Sequence, residues 1–161
     1  MQKNVVVMML ALFAVVWMSA PLSVLVATNG EEILFVWGIS ASEEFSVGYV
    51  HSVNNSPVLD VFGWDESDGK LELNRSYFET MGAGMPHPSD FPGSELVSDG
   101  GMFALRGIYK SMSGLSILVH TYSAQHVILG EQRAELAELA PDGASVRLYI
   151  DKAPRFMSWI R

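Results

Sequence analysis

The stretch FSVGYVHSVNNSPVLDVFGW, residues 45–64, decides the fold, because it predicts two β-strands joined by a turn. From Phe45 to Val53, aromatic and apolar residues alternate with small or polar ones, which is typical of a strand with one buried face. The segment Asn54-Asn55-Ser56-Pro57 is a four-residue turn signal, and a second apolar run begins at Val58. The stretch therefore predicts an antiparallel hairpin.

The register of this hairpin would determine which polar residues meet. If Val53 pairs with Val58, His51 lies opposite Asp60 on a face that is otherwise apolar. A carboxylate beside an imidazole in a dry environment favours the charged pair and can raise the histidine pKa. Two interpretations stay open: a ligand-binding or acid–base pair, and a buried polar pair that fixes the strand register. The same register places Tyr49 opposite Phe62 and Val47 opposite Trp64.

Further along the chain, short apolar runs alternate with turn signals, and no long helical period occurs. The composition of Glu131–Ala140 favours one short helix, and residues 80–101 have no strand character. We therefore expect a mainly β fold, an antiparallel β-sandwich or small barrel with one short helix. The predicted strands are Ile33–Trp37, Phe45–Val53, Val58–Trp64, Leu71–Phe78, Met102–Gly107, Leu115–Tyr122, Val127–Leu129 and Val146–Asp151.

The N-terminus differs from the rest, because residues 5–27 contain no charged side chain. Such a run is long enough for a hydrophobic helix that crosses a membrane. We expect residues 1–28 to form a signal-anchor or signal-peptide helix, with cleavage after Ala20 or Ala27 in the second case. Residues 29–152 would form an extracytoplasmic β domain, and residues 153–161 a C-terminal tail. Lys3 before the run keeps the N-terminus in the cytoplasm.

Composition excludes several classes of protein. The chain of 161 residues has a net charge of −8, so it lacks the basic surface that a nucleic-acid partner requires. Without cysteine it has no disulfide, thiolate metal site or cysteine nucleophile. The four histidines do not have the compact spacing of a known metal site, so we expect no metal and no cofactor.

A second group of candidate residues lies in the long irregular segment. Gly82-Ala83-Gly84 lacks the third glycine and the βαβ context of a dinucleotide fingerprint, so it predicts a tight bend. Backbone N–H groups at such a bend can cradle an anion. Ser52 cannot use His51 as a base, because neighbouring strand residues point to opposite faces. The candidate ligand-binding residues are His51, Ser52, Asp60, Gly82, Ala83, Gly84, Met85 and Pro86.

Two ordered motifs resemble a known family. The run Gly48-Tyr49-Val50-His51-Ser52-Val53, followed by Pro57 and Asp60, is similar to the hallmark of the domain-of-unknown-function 1850 family. Gly82-Ala83-Gly84-Met85-Pro86, after the strand end Tyr77-Phe78, resembles its other signature, and the resemblance covers most of residues 30–151. It implies a small exported or membrane-anchored protein without an established activity. Genes of such proteins often lie beside TAXI-type tripartite ATP-independent periplasmic (TRAP) transporters.

We therefore expect a non-enzymatic, membrane-tethered accessory domain whose partner is a transporter or a solute-binding subunit. It would sit in the cell membrane as a single-pass protein through residues 5–27, with the β domain outside. Secretion after signal-peptide cleavage is the alternative location. The alternative function is a small-ligand, anion or metal-binding module centred on His51, Asp60 and the Gly82–Pro88 loop.

Overall fold

A computed structural model describes residues 2–19 and 21–154. A helix, α1 (Gln2–Ser19), is followed by eleven strands and by a one-turn helix, α2 (Leu136–Leu139). The strands are β1 (Pro21–Asn29), β2 (Glu32–Gly38), β3 (Phe45–Val50), β4 (Pro57–Trp64), β5 (Leu71–Phe78), β6 (Glu95–Asp99), β7 (Met102–Met112), β8 (Leu115–Leu118), β9 (His126–Leu129), β10 (Gln132–Glu135) and β11 (Ser145–Pro154).

The strands form two antiparallel sheets, which confirms the mainly β prediction. The small sheet has the order β2-β1-β11-β8, and the large sheet has the order β10-β9-β3-β4-β5-β7-β6. One apolar cluster contains residues of both sheets, such as Leu25 and Trp37 from the small sheet and Phe45 and Phe62 from the large one. The architecture is therefore a β-sandwich.

A second apolar cluster lies at the other end of the large sheet. Val58, Phe78 and Leu105 pack there from neighbouring strands, and Met85 joins them from the irregular segment after β5. Met85 is 8% exposed. The inner face of the large sheet thus carries two apolar clusters. The small sheet packs on the first, and the segment after β5 covers the second.

The predicted helix over residues 5–27 is wrong from Pro21 onward, because Pro21–Asn29 is strand β1. This strand lies between β2 and β11, and Ala27 is fully buried. Proline at position 21 has no N–H for a helix and restricts the preceding residue, so a helix tends to end before it. Within the two described ranges, no helix is both long and apolar enough to span a bilayer. The expected cut after Ala20 and residues 155–161 of the predicted tail 153–161 lie outside the described residues, whereas Ala153 and Pro154 belong to β11.

Two further strands were not predicted from the sequence. β6 lies at the end of the segment predicted to be irregular, where it pairs with β7. β10 replaces the first half of the predicted helix Glu131–Ala140, of which α2 alone is helical. Gly130, with φ +57°, starts a tight turn that pairs Gln132 with Leu129, so strand pairing overrides the helical propensity of this segment.

Candidate functional site

The hairpin β3–β4 forms, but its register differs from the predicted one. Val50 pairs with Pro57 and Val47 with Asp60, so the expected pairing of His51 with Asp60 is wrong. Similarly, Tyr49 faces Val58 rather than Phe62. The reason is a longer turn, residues 51–56, closed by backbone hydrogen bonds. His51 N–H donates to Ser56 O at 2.9 Å, and Asn55 N–H donates to His51 O at 2.8 Å.

Asp60 nevertheless lies on the inner face of the large sheet, between the two apolar clusters. Its cross-strand neighbours are Val47 and Ser76, and the hydroxyl of Tyr49 approaches it diagonally. Burial raises the pKa of Asp60, and the hydroxyls of Ser76 and Tyr49 offset only part of this effect. Burial and the nearby Asp60 carboxyl also raise the pKa of Tyr49. The site is thus an acid among hydroxyls, and none of the interactions described for Asp60 comes from a cationic side chain.

The two sequence motifs meet at the tip of the hairpin. A Cβ atom on Gly84 would lie 3.0 Å from His51 Nε2, and one on Gly82 would lie 3.0 Å from Asn54 Oδ1. Gly84 has φ +82°, a conformation that glycine adopts without strain. Asn54 N–H donates to His51 Nδ1 at 3.4 Å, so the proton of a neutral imidazole is on Nε2, facing Gly84. We call this contact the hairpin–loop junction, residues 51–56 and 82–86.

The junction does not bring every candidate residue together. Ser52 and Ala83 are exposed, Pro86 is half-buried, and Met85 points into the second apolar cluster. The four surface grooves described for this chain are lined by other residues than these candidates. The junction is therefore a packed contact rather than an open cleft.

Buried polar atoms without a protein partner gather near the junction. Asn54 Nδ2 and Ser56 Oγ are buried and make no hydrogen bond with the described residues. Such atoms are uncommon in native proteins, because leaving a buried donor unpaired costs about 1–3 kcal/mol. They could bind a water molecule or a small polar ligand. Among the described side chains, no three of His, Asp and Glu converge as a metal site would need.

The outer face of the same sheet carries a different polar group that sequence reasoning missed. Arg75 pairs with Glu44 through both guanidinium NH groups, and Asn74 Nδ2 donates to Glu44 Oε1 at 3.0 Å. Burial alone would raise the pKa of Glu44, but the hydrogen bonds from Asn74 and Arg75 outweigh it and lower that pKa. Both partners are about one third exposed. No local sequence signal joins Glu44 to Arg75, because they come together only through strand pairing.

Comparison with known proteins identifies one family. The family model described as "Domain of unknown function (DUF1850)" matches residues 45–136, which is more than half of the chain. The matched segment contains both halves of the hairpin–loop junction as well as Asp60. No curated protein and no solved structure matches the chain.

Proposed function

Because the chain belongs to the DUF1850 family, whose description names no activity, we propose its function from the sequence and the geometry. We propose a membrane-tethered, extracytoplasmic accessory domain without catalytic activity that assists a solute transporter of the cell envelope. The N-terminus would be cytoplasmic and the β-sandwich outside. The observation that carries this proposal is the exposed apolar surface of α1.

Apolar side chains occupy every side of α1. Val5, Val6 and Val7 follow one another and are 49%, 55% and 65% exposed, and Phe13 is 69% exposed. A helix that is apolar all round needs a lipid or protein environment. At roughly 1.5 Å per residue, the 18 residues of α1 extend about 27 Å, which is short of the roughly 30 Å of a bilayer core, so the proposal rests on the exposed apolar surface of this helix and not on its length. β1 begins two residues after α1, so the sandwich would lie directly at the membrane surface.

The resemblance to proteins encoded beside TAXI-type TRAP transporters supports the choice of partner. A tether confines the domain to the membrane that holds such a transporter, which raises the effective concentration of each for the other. A modest affinity then suffices. The partner would be the transporter itself or its solute-binding subunit.

The tether is tested by cell fractionation of the full chain. We expect the protein in the membrane fraction, and we expect the double variant Leu10→Arg/Phe13→Arg to leave it, because arginine in a bilayer core is unfavourable. The matched control is Leu118→Arg/Tyr122→Arg, which adds the same charge at exposed apolar positions of the sandwich. Wild-type protein that dissolves without detergent would contradict the tether.

The partner is tested by co-purification from native membranes in mild detergent. We expect transporter or solute-binding subunits to be recovered with the wild-type chain. Repeated recovery of the chain alone, with α1 intact and in the membrane, would reject the accessory role while leaving the tether in place.

A second candidate function is a small-ligand or anion-binding module at the hairpin–loop junction, favoured by the unpaired donors Asn54 Nδ2 and Ser56 Oγ. Thermal-shift measurements with acetate, citrate, phosphate and divalent metal ions test it, since a ligand of the folded state raises Tm. The variant Asn54→Ala should lose any such shift, whereas Asn74→Ala, a half-buried amide on the outer face, should keep it. If none of these compounds raises Tm, this candidate fails.

A further inference from the structure

The two sheets leave a groove between their end strands. β2 is the last strand of the small sheet and β10 is the last strand of the large one. Residues of β2, β10 and α2 line a groove of about 610 Å³ between them. This is the largest of the four grooves described for the chain. It lies at the β2 end of the small sheet, the opposite end from β8, and at the β10 end of the large sheet, the opposite end from β6.

The floor of this groove is apolar and belongs to the main core. Phe35 and Trp37 stack with their ring centroids 4.0 Å apart and are 3% and 5% exposed. Leu34 and Ala134 are partly buried against the same cluster, and Leu139 at the rim is 38% exposed. Apolar side chains that enter the groove would therefore extend an existing core, which is favourable because they leave water.

The strands at the walls of the groove, β2 and β10, each have one edge without a strand partner in the described chain. β2 pairs with β1 and β10 pairs with β9, and no other strand of the described chain joins either one. The free edge of a strand presents a row of N–H and C=O groups that can accept another strand. Natural edges are often blocked by lysine, proline or a bulge. β2 has a bulge at Leu34 but neither lysine nor proline.

The rim of the groove is acidic. Glu131, Glu135 and Glu138 line it together with a single cation, Arg133, whose Nε is 2.7 Å from Glu135 Oε1. The charges of Arg133 and Glu135 cancel, so Glu131 and Glu138 leave the rim with an excess of negative charge. An acidic rim above an apolar floor favours a ligand that carries basic and apolar side chains in alternation.

We propose that this groove binds an extended segment of a partner protein, in which apolar residues alternate with Lys or Arg, as an added strand on β2. The alternate side chains of a strand point to opposite faces, so the apolar ones would fill the floor while the basic ones meet the rim. The inference rests on the proposed accessory role, because it supplies the surface through which that role is exerted.

Peptide binding to the full chain in a neutral detergent tests the charge requirement. The probes are two labelled octapeptides, one alternating Val and Lys and one alternating Val and Glu, followed by fluorescence anisotropy. We expect the Val–Lys peptide to bind and the Val–Glu peptide not to bind. The variant Glu131→Lys/Glu138→Lys should weaken binding by roughly tenfold or more, because it reverses the charge of the rim.

A matched variant distinguishes the effect of the rim charges on peptide affinity from the effect of the net negative charge of the protein. Glu66→Lys/Glu79→Lys makes the same change at two exposed positions away from the groove. We expect its affinity for the Val–Lys peptide to stay within about twofold of the wild type, as for charges distant from an interface. The proposal would be overturned if both double variants lost the same affinity for the Val–Lys peptide, or if the wild type bound both peptides equally well.

Hydrogen exchange tests whether the segment adds as a strand. Bound Val–Lys peptide should slow exchange of backbone amides in Phe35–Gly38, the part of β2 beyond its bulge, and leave β6, an end strand of the same large sheet as β10, unchanged. Binding without this protection would contradict strand addition. Protection that grows with protein concentration alone would instead identify a second copy of the chain as the occupant and overturn the proposal.

The two proposals fail in different ways. If transporter subunits co-purify equally with the wild type and with Glu131→Lys/Glu138→Lys, and no peptide binds, the groove is not the docking surface and the accessory role stands. If the Val–Lys peptide binds as expected but no transporter subunit is ever recovered, the groove is a peptide site and the transporter role is wrong.

Discussion

The two sheets of the sandwich differ in what they contribute. The large sheet lies within the family-matched residues 45–136 and carries the hairpin, Asp60 and the hairpin–loop junction. Three of the four strands of the small sheet, β1, β2 and β11, lie outside the matched segment. Yet these strands supply about a third of the buried residues of the main core, including Leu25, Ala27, Phe35 and Leu148. The family signature therefore covers the sheet that carries the polar site, whereas part of the shared core comes from strands outside the signature.

The largest effect is expected when β1, the central strand between β2 and β11 in the small sheet, is removed. A chain that starts at Pro21 keeps the strand, and we expect it to fold. A chain that starts at Thr28, as after cleavage at Ala27, should not fold, because Val24, Leu25 and Ala27 are fully buried and β1 bridges β2 and β11. Each large buried side chain contributes about 1.5–3 kcal/mol, against a typical total stability of about 5–15 kcal/mol.

Near-UV circular dichroism and thermal unfolding of the two truncated chains measure this difference. A cooperative transition at a similar Tm in the chain that starts at Thr28 would show that the small sheet is dispensable. The same result would restore Ala27 as a cleavage position compatible with a folded product.

A smaller effect concerns the packing between the two motifs. Gly84 and Gly143 both have φ +82°, but a Cβ atom on Gly143 meets nothing within 4 Å, while one on Gly84 lies 3.0 Å from His51 Nε2. We expect Gly143→Ala to lower the free energy of unfolding by about 1–2 kcal/mol through backbone strain alone. Gly84→Ala should lower it by about 1 kcal/mol more, because the imidazole must move.

Urea unfolding of the single variants and of Gly84→Ala/His51→Ala checks this prediction. In the His51→Ala background, the cost of Gly84→Ala should fall to that of Gly143→Ala. Equal costs of the two glycine variants in the wild-type background would mean that the hairpin–loop junction is loose and that the motifs do not depend on each other.

The sequence predicted the strands whose two faces differ in polarity. The alternation of β3 and β4 was sufficient for the hairpin, but its register depends on whether the turn has four or six residues. That choice is made by the hydrogen bonds between His51, Asn55 and Ser56, with Asn55 at φ +48°. The error changed the cross-strand partner of Asp60 but not its face, because side chains repeat every two residues.

β1 was missed for a different reason. A continuous apolar run has no periodicity that separates a buried strand from a helix, and Pro21 was the one local signal of the boundary. Similarly, the helical composition of Glu131–Ala140 was overridden by pairing of β10 with β9. The contact of Gly84 with His51 could not be predicted, because it depends on how a long irregular segment returns to the hairpin.

The smallest expected effects distinguish the two carboxylates on opposite faces of the large sheet. The folded-state pKa of Asp60 is raised, so the folded protein holds this proton more tightly than the unfolded chain does. The stabilising contribution of Asp60 is therefore present in acid and is lost as the pH rises through the raised value. Asp60→Asn should increase the stability at neutral pH, by an amount on the order of 1 kcal/mol, and this advantage should disappear in acid.

Glu44 should behave in the opposite way. Its folded-state pKa is lowered, so its contribution is present at neutral pH and is lost as the pH falls below the ordinary pKa of a glutamate and through the lowered folded value. Glu44→Gln should therefore decrease the stability at neutral pH, by about 0–1 kcal/mol because the pair with Arg75 is partly exposed, and have no effect in acid. Urea unfolding of both variants at about pH 7 and about pH 3 measures the two signs. If Asp60→Asn destabilised the protein at neutral pH as Glu44→Gln does, the carboxylate of Asp60 would be a well-solvated acceptor for Tyr49 and Ser76, and the polar site between the two apolar clusters would be open to water.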